Sequence, residues 1–98
     1  IISEPILPKP PQDLDPDLFL GKTNDALADR LGAPTIVRKE GVIEVWQYRL
    51  SKCVVDFYFY PDGKTQVVRY THIRSEFLNG EIDRANCMVT LLQFSEAN

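Results

Sequence analysis

Apolar residues in this chain recur first with a helical period and then with a period of two. Leu27 and Leu31 lie four positions apart, which places them on one face of a helix, and the charged residues between them would face solvent. Thr23 can accept backbone N–H bonds at the start of this segment, and Gly32 suits the residue just after its end. The pattern predicts a short amphipathic helix over residues 24–31.

Strands are predicted where the apolar residues alternate with polar ones. The strand segments are residues 35–39, 42–50, 53–60 and 66–73. Glu40-Gly41 and Pro61-Asp62-Gly63 are turn sequences, because proline favours the φ of a turn corner and glycine accepts a positive φ. Connections this short predict an antiparallel meander.

The same alternation assigns side chains to the two faces of the sheet. One face would carry Cys53, Val55, Phe57 and Phe59, and the other Val54, Asp56, Tyr58 and Tyr60. On the last strand, Val67 and Ile73 would share one face, and Val68 and Tyr70 the other. Side chains of the two groups are therefore expected on opposite sides of the sheet.

A second helix is predicted from Arg84 to about Gln93, with Asp83 as its N-cap. Two helices are available to cover an antiparallel sheet, so the predicted fold class is α+β. It is a three- to four-stranded antiparallel meander with an N-terminal and a C-terminal helix packed on one face. The predicted core consists of Leu27, Leu31, Trp46, Tyr48, Val55, Phe57, Phe59, Met88 and Leu91.

Residues 1–19 are predicted to form an extended arm or tether in front of a single domain of residues 20–98. Five of the seven prolines lie in this arm: Pro5, Pro8, Pro10, Pro11 and Pro16. Proline at this density blocks helix and favours polyproline-like backbone. A proline-rich ligand for another protein is the alternative interpretation of the same residues.

Composition narrows the classes of function. The hydrophobic fraction of 44% and the charged fraction of 26% are ordinary for a globular protein, and 98 residues are enough for one core. The net charge of −3 leaves no basic stripe to neutralise phosphates, so we expect no nucleic acid partner. No apolar run approaches the roughly 18 residues of a membrane-spanning helix.

The segment around the first helix also carries a motif. Gly-x-Thr-x-x-x-apolar-x-x-x-Leu-Gly-x-Pro is formed by Gly21, Thr23, Leu27, Leu31, Gly32 and Pro34. It resembles the entry motif of the SmpA/OmlA (BamE-like) outer-membrane lipoprotein domain family. The family's W-x-Y strand and closing hairpin are similar to Trp46-Gln47-Tyr48, Phe57, Phe59 and Asp62-Gly63. The resemblance covers about residues 20–74.

The resemblance implies an exported, non-enzymatic protein of the bacterial cell envelope. The protein would be located in the periplasm or at the inner face of the outer membrane. It would associate peripherally with the membrane through an N-terminal anchor outside this sequence, and it would bind a protein partner in the envelope.

The two cysteines, Cys53 and Cys87, are too far apart for a CxxC redox motif or a paired metal-ligand spacing. A disulfide that joins the central strand to the last helix is the simplest interpretation, and it fits the compartment that the resemblance implies. Two buried free thiols, which pack as small hydrophobic groups, are the alternative.

Groups with catalytic chemistry are sparse. His72 is the single histidine, and both cysteines lie in apolar stretches that disfavour the thiolate. Glycine-rich phosphate loops are absent from the sequence. We therefore expect no enzymatic activity, no metal and no cofactor.

Candidate binding residues lie on the sheet face that the helices leave open. The candidate protein-binding residues are Asp56, Tyr58, Tyr60, Arg69 and Tyr70. Clustered exposed tyrosines are typical of binding surfaces, although cross-strand pairing within the sheet also explains them. Asp56, in the middle of an apolar strand, is either a binding contact or half of a cross-strand pair with Arg69 or Arg49.

Two functions remain open. The first is the envelope protein-binding module that the family resemblance implies, with a role in outer-membrane assembly or integrity. The second is a secreted inhibitor-like domain. The beta-lactamase inhibitor proteins are similar to this helix-plus-sheet layout and bind enzymes through the sheet.

Overall fold

The computed structural model describes residues 15–75 and 84–94 of the chain. In order, it contains a short 3-10 helix (Pro16–Phe19), α1 (Asn24–Leu31), β1 (Ile36–Glu40), β2 (Ile43–Arg49), β3 (Cys53–Asp62), β4 (Thr65–Ser75) and α2 (Arg84–Leu92). The strands form one antiparallel sheet in chain order, and the buried residues of both helices belong to the core on one side of it. The predicted α+β meander is confirmed. The proline-rich residues 1–14 and the predicted N-cap Asp83 lie outside the described residues.

The ends of α1 follow from the residues that flank it. Thr23 Oγ1 accepts the backbone N–H of Ala26 at 3.1 Å, which satisfies one of the free N–H groups of the first turn. At the other end Gly32 adopts φ +82°, a conformation that glycine reaches without a steric penalty. Leu27 and Leu31 are fully buried, as the helical period predicted.

The β1–β2 and β3–β4 hairpins, two of the three in the sheet, have two-residue loops. Glu40 pairs with Ile43 in the first of these, and Asp62 pairs with Thr65 in the second. Gly63 starts the second loop with φ +64°, which is what a type II′ hairpin turn requires at that position. Pro61 does not form the corner that the sequence predicted. The strand pairing continues past it, and the turn comes two residues later.

Strand β4 contains a β-bulge next to the tyrosines. Tyr58 of β3 pairs with Tyr70, but the next residue, Phe59, pairs with Val68. Arg69 is therefore an extra residue without a partner on β3. Such an insertion shifts the alternation of side chains by one position on the two sides of the bulge.

The bulge overturns the predicted faces of β4. Val68 belongs to the same buried core as Ile73, whereas Val67 lies outside that core on the opposite side of the sheet. The prediction that Val67 shares a face with Ile73, and Val68 with Tyr70, is wrong because it assumed an unbroken alternation through residues 66–73.

The core fills the space between the sheet and the two helices. All nine predicted core residues are buried, and six more join the same cluster: Phe19, Leu50, Cys53, Val68, Ile73 and Cys87. Within it, the Trp46 and Phe59 rings pack with centroids 4.7 Å apart. The Trp46 indole N–H donates to Glu44 Oε2 at 3.0 Å, so this polar atom has a partner at the edge of the core.

Tyr48 joins the sheet to the end of α1. Its side chain is fully buried, and its hydroxyl donates to the carbonyl oxygen of Gly32 at 2.8 Å. Burial raises the pKa of Tyr48 well above its usual value, so the hydroxyl stays protonated and keeps its role as a donor.

A disulfide between Cys53 and Cys87 attaches α2 to the first residue of β3. The two Cα atoms are 6.0 Å apart, within the ordinary range for a disulfide. The predicted pairing is present, and the alternative of two free thiols is excluded.

The outer edge of β4 is partly covered by the chain that precedes α1. The backbone N–H of Gly21 donates to the carbonyl of Val68, and the N–H of Val68 donates to the carbonyl of Lys22. Pro16 and Phe19, in the 3-10 helix, are buried. The packed part of the chain therefore begins before residue 20, where the sequence placed the start of the domain.

Candidate functional site

The candidate site is the side of the sheet opposite α1 and α2, which we call the outer face. The strand register arranges its side chains in cross-strand rows, three of which lie on the same side of the β4 bulge as Tyr70. These three rows are Ile36–Gln47–Asp56–His72, Arg38–Val45–Tyr58–Tyr70 and Arg49–Val54–Arg74. In the part of the chain that the structure describes, no helix packs against this face.

The first row forms a chain of polar contacts across β2, β3 and β4. Gln47 Nε2 donates to Asp56 Oδ1 at 2.9 Å, and Gln47 Oε1 accepts from Arg49 Nε at the same distance. On the other side, Asp56 Oδ2 lies 4.0 Å from His72 Nδ1. Gln47 and Asp56 are both buried, yet their polar atoms have partners. A buried carboxylate held in this way is a fixed part of the sheet.

The partners of Asp56 differ from those that the sequence predicted. Arg49 reaches the network through Gln47 and has no direct contact with the carboxylate in the structure. Arg69 lies at the β4 bulge and pairs with Asp62 at 3.6 Å. Asp62 is six residues from Asp56 along β3, or about 20 Å in an extended strand, so this pair keeps Arg69 away from Asp56.

The tyrosines lie on the outer face, as predicted. The rings of Tyr58 and Tyr70 meet edge to face, with centroids 5.2 Å apart, across the β3–β4 pair. Tyr70 is 53% exposed, Tyr60 is 38% exposed, and Tyr58 is half-buried between its neighbours. Cross-strand pairing thus accounts for the position of Tyr58, but it leaves most of the Tyr70 ring accessible.

Three valines of the outer face are buried although the face carries no helix among the described residues. Val45 is 1% exposed, Val54 is 2% exposed and Val67 is 5% exposed. Arg49 and Arg74, the cross-strand neighbours of Val54, are both exposed. Val45 and Val54 therefore give the outer face an apolar floor on each side of the polar Gln47–Asp56–His72 row, and longer polar side chains surround Val54.

Metal binding and nucleophilic attack would need histidine, cysteine or acidic side chains placed for that chemistry. Among residues 15–75 and 84–94, no three histidine, cysteine or acidic side chains are grouped closely enough to hold a metal ion. Both cysteines are in the disulfide, so neither is a nucleophile. Within the same residues, no helix combines the length and the apolar character needed to cross a membrane.

Comparisons with protein-family models, with curated proteins and with solved structures give no match to this chain. The candidate site therefore stands on its own geometry.

Sequence reasoning missed Gln47, His72 and Arg74 as members of the outer face. Their positions relative to Asp56 depend on the register between strands, which alternation within one strand does not reveal. Counting back from the β2–β3 connection would have given the β2–β3 pairs, but the β3–β4 pairs of all three rows lie beyond the bulge, where counting from the Gly63-Lys64 loop is one residue out of register.

Proposed function

We propose that this domain is a non-enzymatic protein-binding module of the bacterial cell envelope and that it contacts its partner through the outer face. The observation that carries the proposal is the Tyr58–Tyr70 ring pair, with Tyr70 exposed, on a sheet face against which no described element packs. Aromatic side chains in such positions are the residues that most often anchor protein interfaces.

The surroundings of the tyrosines suit a preformed binding surface. Tyr58 lies between its cross-strand neighbours Val45 and Tyr70, and the Gln47–Asp56 hydrogen bond in the next row of the same face is already formed. A partner that docks here has few side chains to order and no buried polar atom to satisfy. Binding to a rigid surface loses less conformational entropy, which favours affinity.

The cell envelope is proposed on two grounds. Disulfides persist in oxidising compartments such as the bacterial periplasm, and Cys53 and Cys87 form one here. The motif of residues 21–34 resembles the SmpA/OmlA domains, which implies a role in outer-membrane assembly or integrity. A secreted inhibitor-like domain would use the same face against an enzyme, so the identity of the partner separates the two functions.

Site-specific photocrosslinking in the native cells tests the proposal. A benzoylphenylalanine is placed at Tyr70 on the outer face or, as the control, at Val89, which is 39% exposed on α2. We expect irradiation to yield a discrete adduct with an envelope protein from position 70 and not from position 89. Adducts from position 89 alone would show that the helices carry the interface. An adduct with a secreted enzyme would instead support the inhibitor-like function.

A further inference from the structure

At one end of the outer face, two arginines carry positive charge that no acidic side chain among the described residues neutralises, although the whole chain has a net charge of −3. Arg49 and Arg74 are the cross-strand neighbours of Val54 on its two sides. The third arginine of the face, Arg38, pairs with Glu40 at 3.4 Å and is neutralised locally. The positive charge is therefore concentrated at the row in which Arg49 and Arg74 flank Val54.

Neither arginine of this end is neutralised within the described residues. Arg49 donates its Nε–H to the amide oxygen of Gln47, which carries no charge. Arg74 is exposed and has no ion pair or side-chain hydrogen bond with the described part of the chain. The carboxylate of Asp56, on the neighbouring row, is occupied by Gln47 and His72.

The geometry of this end suits a carboxylate. Residues two strands apart are separated by about 10 Å at the backbone, so two long arginine side chains can converge on one group between them. The planar guanidinium binds carboxylates through two parallel N–H···O bonds. Val54, at 2% exposure, supplies an apolar floor beneath the group and strengthens such charge-assisted bonds by excluding water.

We propose that the partner presents an acidic segment to the outer face, with a carboxylate between Arg49 and Arg74 and an apolar ring on the Tyr58–Tyr70 pair. This inference rests on the proposed function and specifies the chemistry of the partner. Tyr70 and Arg74 are four residues apart on β4, a distance of about 13 Å in a strand. An extended segment that runs along β4 matches both sites when its acidic and aromatic residues are also four positions apart.

Synthetic peptides provide the probe. Twelve-residue Gly/Ser peptides carry one Phe and one Asp four positions apart, in either order, and matched peptides replace Asp by Lys or move it to a spacing of three. Binding is followed by amide chemical-shift titration of the protein. We expect the four-spaced Asp peptide in one order to bind about tenfold more tightly than the Lys peptide, as a charge-assisted contact predicts. The shifted amides should lie on the outer face.

Variants of the protein complete the test. Arg74→Glu should weaken the Asp peptide about tenfold or more and Arg74→Gln by less, whereas Arg74→Lys should retain part of the affinity because the charge remains. Lys22→Glu, the same charge change at an exposed position next to α1, is the control and should have no effect. Arg74 has no partner among the described residues, so its variants are expected to keep the wild-type thermal midpoint.

Several outcomes would overturn the inference. They are equal binding of the Asp and Lys peptides, no binding of any peptide, or equal loss of affinity in Arg74→Glu and Lys22→Glu. Binding to phosphatidylglycerol vesicles that matches or exceeds peptide binding, or self-association that Arg74→Glu abolishes, would assign the arginines to a lipid or to a second copy of the chain. If the crosslink from position 70 persists in Arg74→Glu, the protein-binding function stands and the acidic partner does not.

Discussion

Asp56 and Trp46 lie on opposite faces of the same sheet, and each is held in place by the partners of its own side chain. Asp56 is a buried carboxylate on the outer face, and it is tolerated because Gln47 donates to it. Trp46 lies on the inner face, where Phe59 packs on its ring and Glu44 accepts its indole N–H. Each side chain satisfies its polar atoms locally, so each position accepts few other residues.

Replacing Trp46 should destabilise the domain severely. Trp46→Ala removes a large buried side chain from the core and should lower the free energy of unfolding by about 3–5 kcal/mol, measured by urea denaturation. Trp46→Phe, which keeps an aromatic ring, should lose less. The fluorescence of the folded wild-type protein should be blue-shifted relative to the unfolded chain. Emission unchanged on unfolding would contradict the buried position of Trp46.

The sequence predicted that Asp56 needs a partner, but it named the wrong partner. Arginine is the usual choice for a carboxylate, and two arginines on neighbouring strands were available. The actual partners, Gln47 and His72, are set by the register between β2, β3 and β4. The sequence of one strand does not determine that register. A register difference of two residues leaves every hydrophobic pattern intact and changes all cross-strand pairs, so this part of the site was not accessible from pattern alone.

At the scale of elements, the predictions for α1 were accurate because its cap, its terminus and its buried face are decided by local residue types, whereas Pro61 did not form the predicted corner. Residue type predicted the N-cap at Thr23 and the end of α1 at Gly32, and the spacing of the two leucines predicted that they are buried. The β4 bulge was not predicted. The adjacent Val67 and Val68 offer two alternative phases for the alternation, and only packing selects Val68 as the one that faces the core.

The 3-10 helix and α2 are joined by an ion pair that depends on pH. Arg84 Nη2 lies 2.7 Å from Asp15 Oδ2, and Asp15 Oδ1 caps the 3-10 helix by accepting the N–H of Asp17. Partial burial by itself raises the pKa of Asp15, but the hydrogen bond from the Asp17 backbone and the Arg84 guanidinium outweigh it and lower the pKa below its ordinary value of 3.8. The charged form of Asp15 therefore stabilises the folded state.

Asp15→Asn should show this dependence. Because the folded pKa is the lower one, the contribution of the charge is complete above the unfolded value and is lost as the pH falls through the folded value. Asparagine keeps the capping oxygen, so at pH 7 the variant should lose less than about 1 kcal/mol. The difference from wild type should narrow below about pH 4. Asp29→Asn, on the exposed side of α1, is the control. A difference that stays constant with pH would contradict the assignment.

The Cys53–Cys87 disulfide should contribute a large share of the stability. By chain entropy, a bond that closes a loop of this length restricts the unfolded state by roughly 3–4 kcal/mol. Reduction with dithiothreitol should lower the free energy of unfolding by that order, measured by urea denaturation. The Cys53→Ala/Cys87→Ala variant is the control, since the reductant should leave its stability unchanged. Equal stability of the oxidised and reduced wild type would contradict this role.

The whole molecule is asymmetric. One face of the sheet supports both helices, the disulfide and the core, while the outer face keeps an aromatic pair, a closed polar network and a positive end. The sequence predicted this division, because two helices cannot cover both faces of a four-stranded sheet. It could not predict the grouping of side chains within the outer face, since that grouping is set by strand register and by the bulge.

The most direct test of the binding surface compares partner capture with stability in the same preparations. Tyr58→Asp and Tyr70→Asp place a charge on the outer face, and Val42→Asp does the same at a residue that is 70% exposed in the β1–β2 loop. The outer-face account predicts that both tyrosine variants lose capture of the photocrosslinked envelope partner, that Val42→Asp retains it, and that Tyr70→Asp changes the thermal midpoint by no more than about 4 °C. Tyrosine variants that still capture the partner, or a Tyr70→Asp variant that unfolds, would contradict the outer face as the binding surface.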